Sequence, residues 1–135
     1  MNAIYHASCL CGQVTFSVGS FSTQAANCHC TMCRKFHGAA FGTLVSVSED
    51  TLNWLSGESL LRDYTAKNGS IRTFCNDCGS SLGFRVKGQP REKMEVAIAT
   101  FDDDIPVKIN AHIYTDNKAC WHEISDNLAT FKQGR

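Results

Sequence analysis

Seven of the eight cysteines stand in three tight groups. Cys9 and Cys11 form a C-x-C pair in "SCLCGQV". Cys28, Cys30 and Cys33 crowd into "CHCTMCRK". Cys75 and Cys78 form a C-x-x-C followed by glycine in "FCNDCGSS", and Cys120 stands alone. Thiols at such spacings bind a soft metal, exchange as disulfides or act as nucleophiles. The opening "MNAIYHASCL" has neither the charged nor the apolar region of an export signal, and no apolar run approaches membrane-spanning length. The expected compartment is therefore the cytoplasm. Its reducing conditions favour metal binding or catalysis over disulfides.

The "CNDCG" group has the sequence of a zinc knuckle, in which a tight turn aims backbone N–H groups at the thiolates and Gly79 takes the positive φ. A redox C-x-x-C needs a helix starting at its first cysteine, whereas here a strand-like run follows. A closed site needs four ligands. If Cys9 and Cys11 lie on an extended strand, both point to one side. A disulfide within C-x-C is badly strained. Cys9, Cys11, Cys75 and Cys78 thus compose a four-cysteine structural site, against the alternative of four buried free thiols packed as small apolar groups.

Cys28, Cys30 and Cys33 remain. Three protein ligands plus one open position is the arrangement of a catalytic zinc, at which a bound thiol is deprotonated. Two other readings stay open: a second closed site completed by His29, His37, His6 or Cys120, and a labile triad that holds no metal in the resting protein or is only partly occupied. Sulfur-rich ligation favours zinc over magnesium, calcium or manganese.

These groups need elements to hold them, and the sequence reads as short strands. "QVTFSV" alternates with Val14, Phe16 and Val18 on one face, "SLGFRV" with Leu82, Phe84 and Val86, and "MEVAIA" with Met94, Val96 and Ile98. "AFGTLVSV", "SLLRDY", "SIRTFC" and "AHIYT" are further strand-like pieces separated by Gly, Asn and Asp. Helical signal is confined to a turn or two after Cys33 and a short turn in "ISDNLATF". The expectation is a mainly β, mostly antiparallel single domain over residues 1–135, with its core at about 5–131. Thirteen basic and thirteen acidic residues cancel, which argues against nucleic acid as the principal partner.

The order "SCLCGQVTF", "CHCTMCRK", "FCNDCGSSL", with the closing "HIYTDNKACWHEISDNLATF", resembles the glutathione-dependent formaldehyde-activating enzyme family, whose domain is shared with centromere protein V. The resemblance runs from about Tyr5 to Phe131. It implies a small antiparallel β domain similar to the Mss4-like zinc folds. It also implies a structural zinc on Cys9, Cys11, Cys75 and Cys78 and a zinc near the reaction centre on Cys28, Cys30 and Cys33. The implied activity is that of a carbon–sulfur lyase, forming or cleaving S-(hydroxymethyl)glutathione from glutathione and an aldehyde. Arg34 and Lys35 are then candidates to meet glutathione's carboxylates, against a solvated surface patch. The competing class is a non-catalytic zinc module that binds protein or carries metal, with a flat apolar face in place of a pocket. Cys120 is expected as a buried bystander, against a late ligand or a reactive thiol, and Trp54 and Trp121 as core, against Trp121 lining a pocket. His29 is expected to point away from its neighbouring cysteines, and His112 and His122 to be satisfied surface or core residues.

Overall fold

A computed structural model of the chain describes residues 3–135, so residues 1 and 2 of the expected domain lie outside the described residues. Its strands in chain order are β1 (Tyr5–Ser8), β2 (Thr15–Val18), β3 (Phe21–Cys28), β4 (Gly42–Val47), β5 (Leu52–Ser56), β6 (Leu61–Thr65), β7 (Ile71–Cys75), β8 (Ser81–Arg85), β9 (Glu95–Ala97), β10 (Ala111–Ile113) and β11 (Ala129–Thr130). One seven-residue helix, α1 (Thr31–His37), follows β3. No helix among the described residues is long and apolar enough to cross a membrane.

The strands form two sheets. The smaller has the order β1-β2-β5, and the larger β11-β10-β3-β4-β9-β8-β7-β6. Pairing is antiparallel except at one edge, where β10 runs parallel to both β3 and β11. The alternation read in "QVTFSV" holds: Val14, Phe16 and Val18 are fully buried. They pack against Ala25, Val45, Leu82, Met94 and Val96 of the larger sheet. Phe16 lies 5.1 Å from the Trp54 ring and 6.3 Å from that of Phe101. Gly83 admits the close approach of β8 to this core, because a Cβ there would meet Met94 Sδ at 2.5 Å.

The opposite face of the larger sheet carries a second, smaller apolar cluster of Cys28, Cys33, Leu44 and Ala97, with Cys30, Phe84 and Ile113 against it. Neighbouring residues therefore divide between two environments: Val45 faces the main core and Leu44 the second cluster.

Five expectations are corrected. "SLGFRV" does not present one apolar face, since Leu82 enters the main core while Phe84 packs against the second cluster and Val86 is exposed; the register slips between Thr73 and Phe74 of the paired strand. The turn in "ISDNLATF" is absent, and Ala129–Thr130 pairs with β10 instead. Helix α1 contains Cys33 rather than following it, because Cys30 caps it and accepts a hydrogen bond from Cys33 N at 3.3 Å. Cys120 and Trp121 are exposed, the latter at 67%, whereas Trp54 does pack on the core.

Strands β6, β7 and β8 are cross-linked by side chains. The Asp63 carboxylate accepts from Thr73 Oγ1 at 2.7 Å, Arg85 Nη2 at 2.9 Å and Arg91 Nη2 at 3.2 Å. Burial opposes its ionisation, but these donors prevail and hold the carboxyl down to about 2. A depressed folded-state pKa stabilises the fold above the unfolded carboxyl's value and loses that contribution as pH falls through the folded one. Asp63→Ala should therefore cost roughly 2–4 kcal/mol at neutral pH, since buried Arg85 loses its counter-ion. In denaturant titrations the gap to the parent protein should be constant from pH 6 to 8 and shrink as pH drops below about 4.

Candidate functional site

Cys9 and Cys11 sit in the turn between β1 and β2, not on an extended strand as expected from their spacing. Gly12 N donates to Cys9 O at 3.0 Å, and Gly12 takes φ +80° to close the turn. The turn still brings both sulfurs to one side, 3.5 Å apart. Cys75 and Cys78 occupy the knuckle between β7 and β8, where Gly79 N donates to Cys75 O at 2.8 Å and Gly79 has φ +79°. The two turns meet: Cys11 Sγ is 4.0 Å from Cys75 Sγ, and all four sulfurs lie within 4.8 Å of one another. Side chains tie the turns further, with Leu10 N donating to Ser80 Oγ at 2.7 Å and Gln13 Nε2 to Asp77 Oδ2 at 2.5 Å. The Ser80 hydroxyl holds the Cys78 thiol down to about 6, and burial pushes Cys75 up to about 11. All eight cysteines are free thiols, and the four here form a donor set able to hold a metal ion.

The sulfurs of Cys28, Cys30 and Cys33 form a second such set, again within 4.8 Å of one another. Cys28 ends β3, Cys30 caps α1 and Cys33 enters its first turn, so the strand-to-helix junction folds three thiols onto one point. Among the described residues no fourth His, Cys, Asp or Glu completes the group. His6 is exposed and paired with Asp103, Cys120 is exposed, His29 faces elsewhere, and His37 at the end of α1 lays its ring on Gly42 and is outside the group. Hydrogen bonds from Cys28 and then Cys33 hold the Cys30 thiol well below the usual range, and the same contacts push Cys28 up.

These three sulfurs line a cavity of about 440 Å³, a volume suited to a small organic ligand. Sheet register builds its wall. Arg72 of β7 pairs with Phe84 of β8, Phe84 with Glu95 of β9, and Glu95 with Ser46 of β4. Directly opposed residues share a face, and all four line the cavity. Beyond them Leu44, Ala26, Cys28 and Ile113 continue the wall across β4, β3 and β10.

Arg34 and Lys35 do not line this cavity. Arg34 Nη1 donates to Asn117 O at 2.8 Å and anchors α1 to the later chain, and Lys35 is exposed. The guanidinium groups at the cavity belong to Arg72 and Arg135, which adjacency in sequence could not reveal. Behind the triad lies a second unforeseen arrangement. His29 and His112 are buried, with His29 Nε2 2.8 Å from His112 Nδ1 and His112 Nε2 2.9 Å from Asp126 Oδ2. An ionised carboxylate only accepts, so with neutral rings His112 donates from Nε2 and accepts at Nδ1 from His29. Burial, then the neighbouring His112, lowers His29 to about 4. His29 thus points away from Cys28 and Cys30 as expected, and fixes the strand end that carries them.

The sequence model of glutathione-dependent formaldehyde-activating enzymes matches residues 4–117. The chain belongs to that family. The match ends at Asn117, short of Phe131, to which the resemblance was read; Asp126 and Arg135 lie beyond it. Among solved structures, the crystal structure of a Rhodobacter sphaeroides protein is similar at 23% identity and a TM-score of 0.60, covering 75% of this chain and 91% of that one. That likeness concerns the fold alone. No curated protein matches. In this family member both cysteine groups expected from spacing are brought together as groups.

The two groups differ in what they join, and their variants should differ accordingly. Cys75 and Cys11 are 64 positions apart, whereas Cys28, Cys30 and Cys33 span one junction. Cys75→Ser should lose a metal ion and most of its cooperative folding, because binding energy there is folding energy. Cys30→Ser should lose a metal ion yet keep its circular dichroism and melt within several degrees of the parent. Metal analysis of the purified variants, together with thermal melts, reads both outcomes.

Proposed function

We propose that this family member is a zinc-dependent enzyme of the carbon–sulfur lyase type, which forms or cleaves the adduct between a thiol such as glutathione and an aldehyde such as formaldehyde. The observation that carries this reading is three convergent thiols, with no fourth protein ligand among the described residues, at the wall of a cavity large enough for a small peptide. A non-catalytic module is expected to present a flat, exposed apolar face instead.

The donor sets fit zinc. Tetrahedral ligation at a Zn–S distance of about 2.3 Å separates sulfurs by about 3.8 Å. The 3.5 and 4.0 Å contacts in the four-cysteine group bracket that value. Cys9, Cys11, Cys75 and Cys78 would hold a closed structural zinc, and Cys28, Cys30 and Cys33 a zinc with one position for substrate. The 1–135 span is then one zinc-binding domain, and its unpaired thiols suit a reducing compartment, the cytoplasm.

When bound at the triad, zinc supplies a Lewis acid that keeps a substrate thiol deprotonated at neutral pH. The chain's own residues do the rest. Cys28 and Cys33 are buried, and Cys30 is the partly exposed member facing the cavity. Phe84, Leu44 and Ile113 provide an apolar wall that displaces water from the reacting groups. Glu95 offers a carboxylate to a ligand's ammonium group, and Arg135 a guanidinium to a ligand's carboxylate, in place of Arg34 and Lys35. Holding thiol and aldehyde together removes much of the entropic barrier. The sulfur lone pair forms the C–S bond, the carbonyl π pair moves to oxygen, and the proton lost from the thiol is returned there. Cleavage runs the same steps backwards.

Glutathione should bind the metal-loaded protein with release of a proton, counted by calorimetry in two buffers of different ionisation enthalpy. S-methylglutathione keeps the peptide but forms no thiolate, and should bind at least about tenfold more weakly with no proton released. Equal affinity for both ligands would place recognition in the peptide and contradict the sulfur-centred reading.

A further inference from the structure

We propose that Arg72 is the fixed counter-charge of the three-cysteine site and biases its fourth position toward anionic sulfur ligands over neutral nitrogen ligands. This rests on the reading that Cys28, Cys30 and Cys33 hold a divalent ion.

Arg72 is 3% exposed, so its guanidinium is out of bulk water. Arginine does not shed its proton in proteins, and a buried charge requires compensation. Yet no carboxylate pairs with it. The ion pairs of the described residues engage Arg85, Arg91, Lys93 and two histidines, and Arg72 is in none of them. Its contacts are sulfur, hydroxyl and ring. Nη2 donates to Cys33 Sγ at 3.7 Å, and Nη1 to Met32 Sδ at 3.7 Å and to Ser70 Oγ at 3.1 Å. Its central carbon sits 5.0 Å from the centroid of the Phe84 ring. Nε is buried without an acceptor. The Met32 thioether and the Ser70 hydroxyl are neutral, so Cys33 is the only neighbour in this set able to carry formal negative charge.

Charge counting then gives the consequence. Three thiolates around a divalent ion carry one net negative charge, and Arg72 cancels it. An added thiolate brings a further negative charge to a site bordered by this buried cation, whereas an imidazole brings none. The four-cysteine group is built otherwise. Its sulfurs take hydrogen bonds from the Gln13 amide and the Val14 backbone, no Arg or Lys of the described residues hydrogen-bonds to them, and Cys11 is exposed. Water can stabilise its larger charge, while the triad, with Cys28 and Cys33 buried, depends on Arg72.

The test uses the full chain loaded with cobalt(II), whose visible spectrum reports the donor atoms of a site that gains a ligand. Parent, Arg72→Met, Arg72→Gln and Arg72→Lys proteins are titrated with 2-mercaptoethanol and separately with imidazole, at one pH and salt concentration. Arg72→Met should weaken thiol binding by about tenfold or more and imidazole binding by less than about threefold. Arg72→Gln, which keeps donors without charge, should behave like Arg72→Met and serves in its place should that variant fold poorly. Arg72→Lys should retain most of the preference. Equal losses for both ligands would make Arg72 merely structural and overturn the inference, as would unchanged binding of both. A parent protein that takes up only one cobalt ion would overturn the inference together with the reading beneath it. Two ions in the parent with no ligand discrimination lost in the variants would overturn the inference alone.

Discussion

Two cysteine pairs separated by 64 positions meet at one point, and the rest of the molecule is arranged around that meeting. Cys9 and Cys11 lie in the turn leaving β1 of the small sheet, and Cys75 and Cys78 in the turn leaving β7 of the large one. Joining the turns sets one sheet over the other, so that Val14, Phe16 and Val18 close against Val45, Leu82 and Val96. With one face of the large sheet so covered, its other face is free to line a cavity. Backbone closure at Gly12 and Gly79 makes each turn tight enough to present two sulfurs.

The two cysteine groups present the same element, sulfur, in different surroundings. The four-cysteine group is complete in ligands and bordered by amides and a hydroxyl, which suits permanence. The three-cysteine group is short of a ligand, bordered by a cavity and touched by a buried guanidinium, which suits exchange. Its position follows from secondary structure: a strand ends at Cys28, a helix is capped at Cys30, and Cys33 enters that helix's first turn.

The cysteine groups were legible because ligand spacing is local and encoded by a few residues. The strands carrying Phe16, Val18 and Val96, with Val14 and Met94 just before them, were legible because alternation is local too. What was hidden depended on register or on loops. Adjacency suggested Arg34 and Lys35, but the cavity's buried cation is Arg72, brought there by strand pairing with Phe84. The His29–His112–Asp126 chain links residues 83 and 14 positions apart through the parallel edge formed by β3 and β10. Nothing in an unaligned sequence announces the parallel pairing of a three-residue strand with β3. The C-x-C pair read as extended turned out to be a turn, because Gly12 supplies the positive φ that closes it. Trp121, expected in the core or at a pocket wall, is exposed at the rim of a shallow surface depression with Lys118 and Glu123.

Zinc-edge X-ray absorption on the two-zinc protein, with and without glutathione, addresses most directly whether one sulfur site is closed and the other open to a thiol. With four protein sulfurs in one group and three in the other, the average should be about 3.5 sulfurs per zinc, the balance being oxygen or nitrogen. Saturation with glutathione should raise the average to about four and remove the lighter scatterer. A spectrum that shows four sulfurs per zinc before glutathione is added, or one that does not change when it is, would contradict an open catalytic site at Cys28, Cys30 and Cys33.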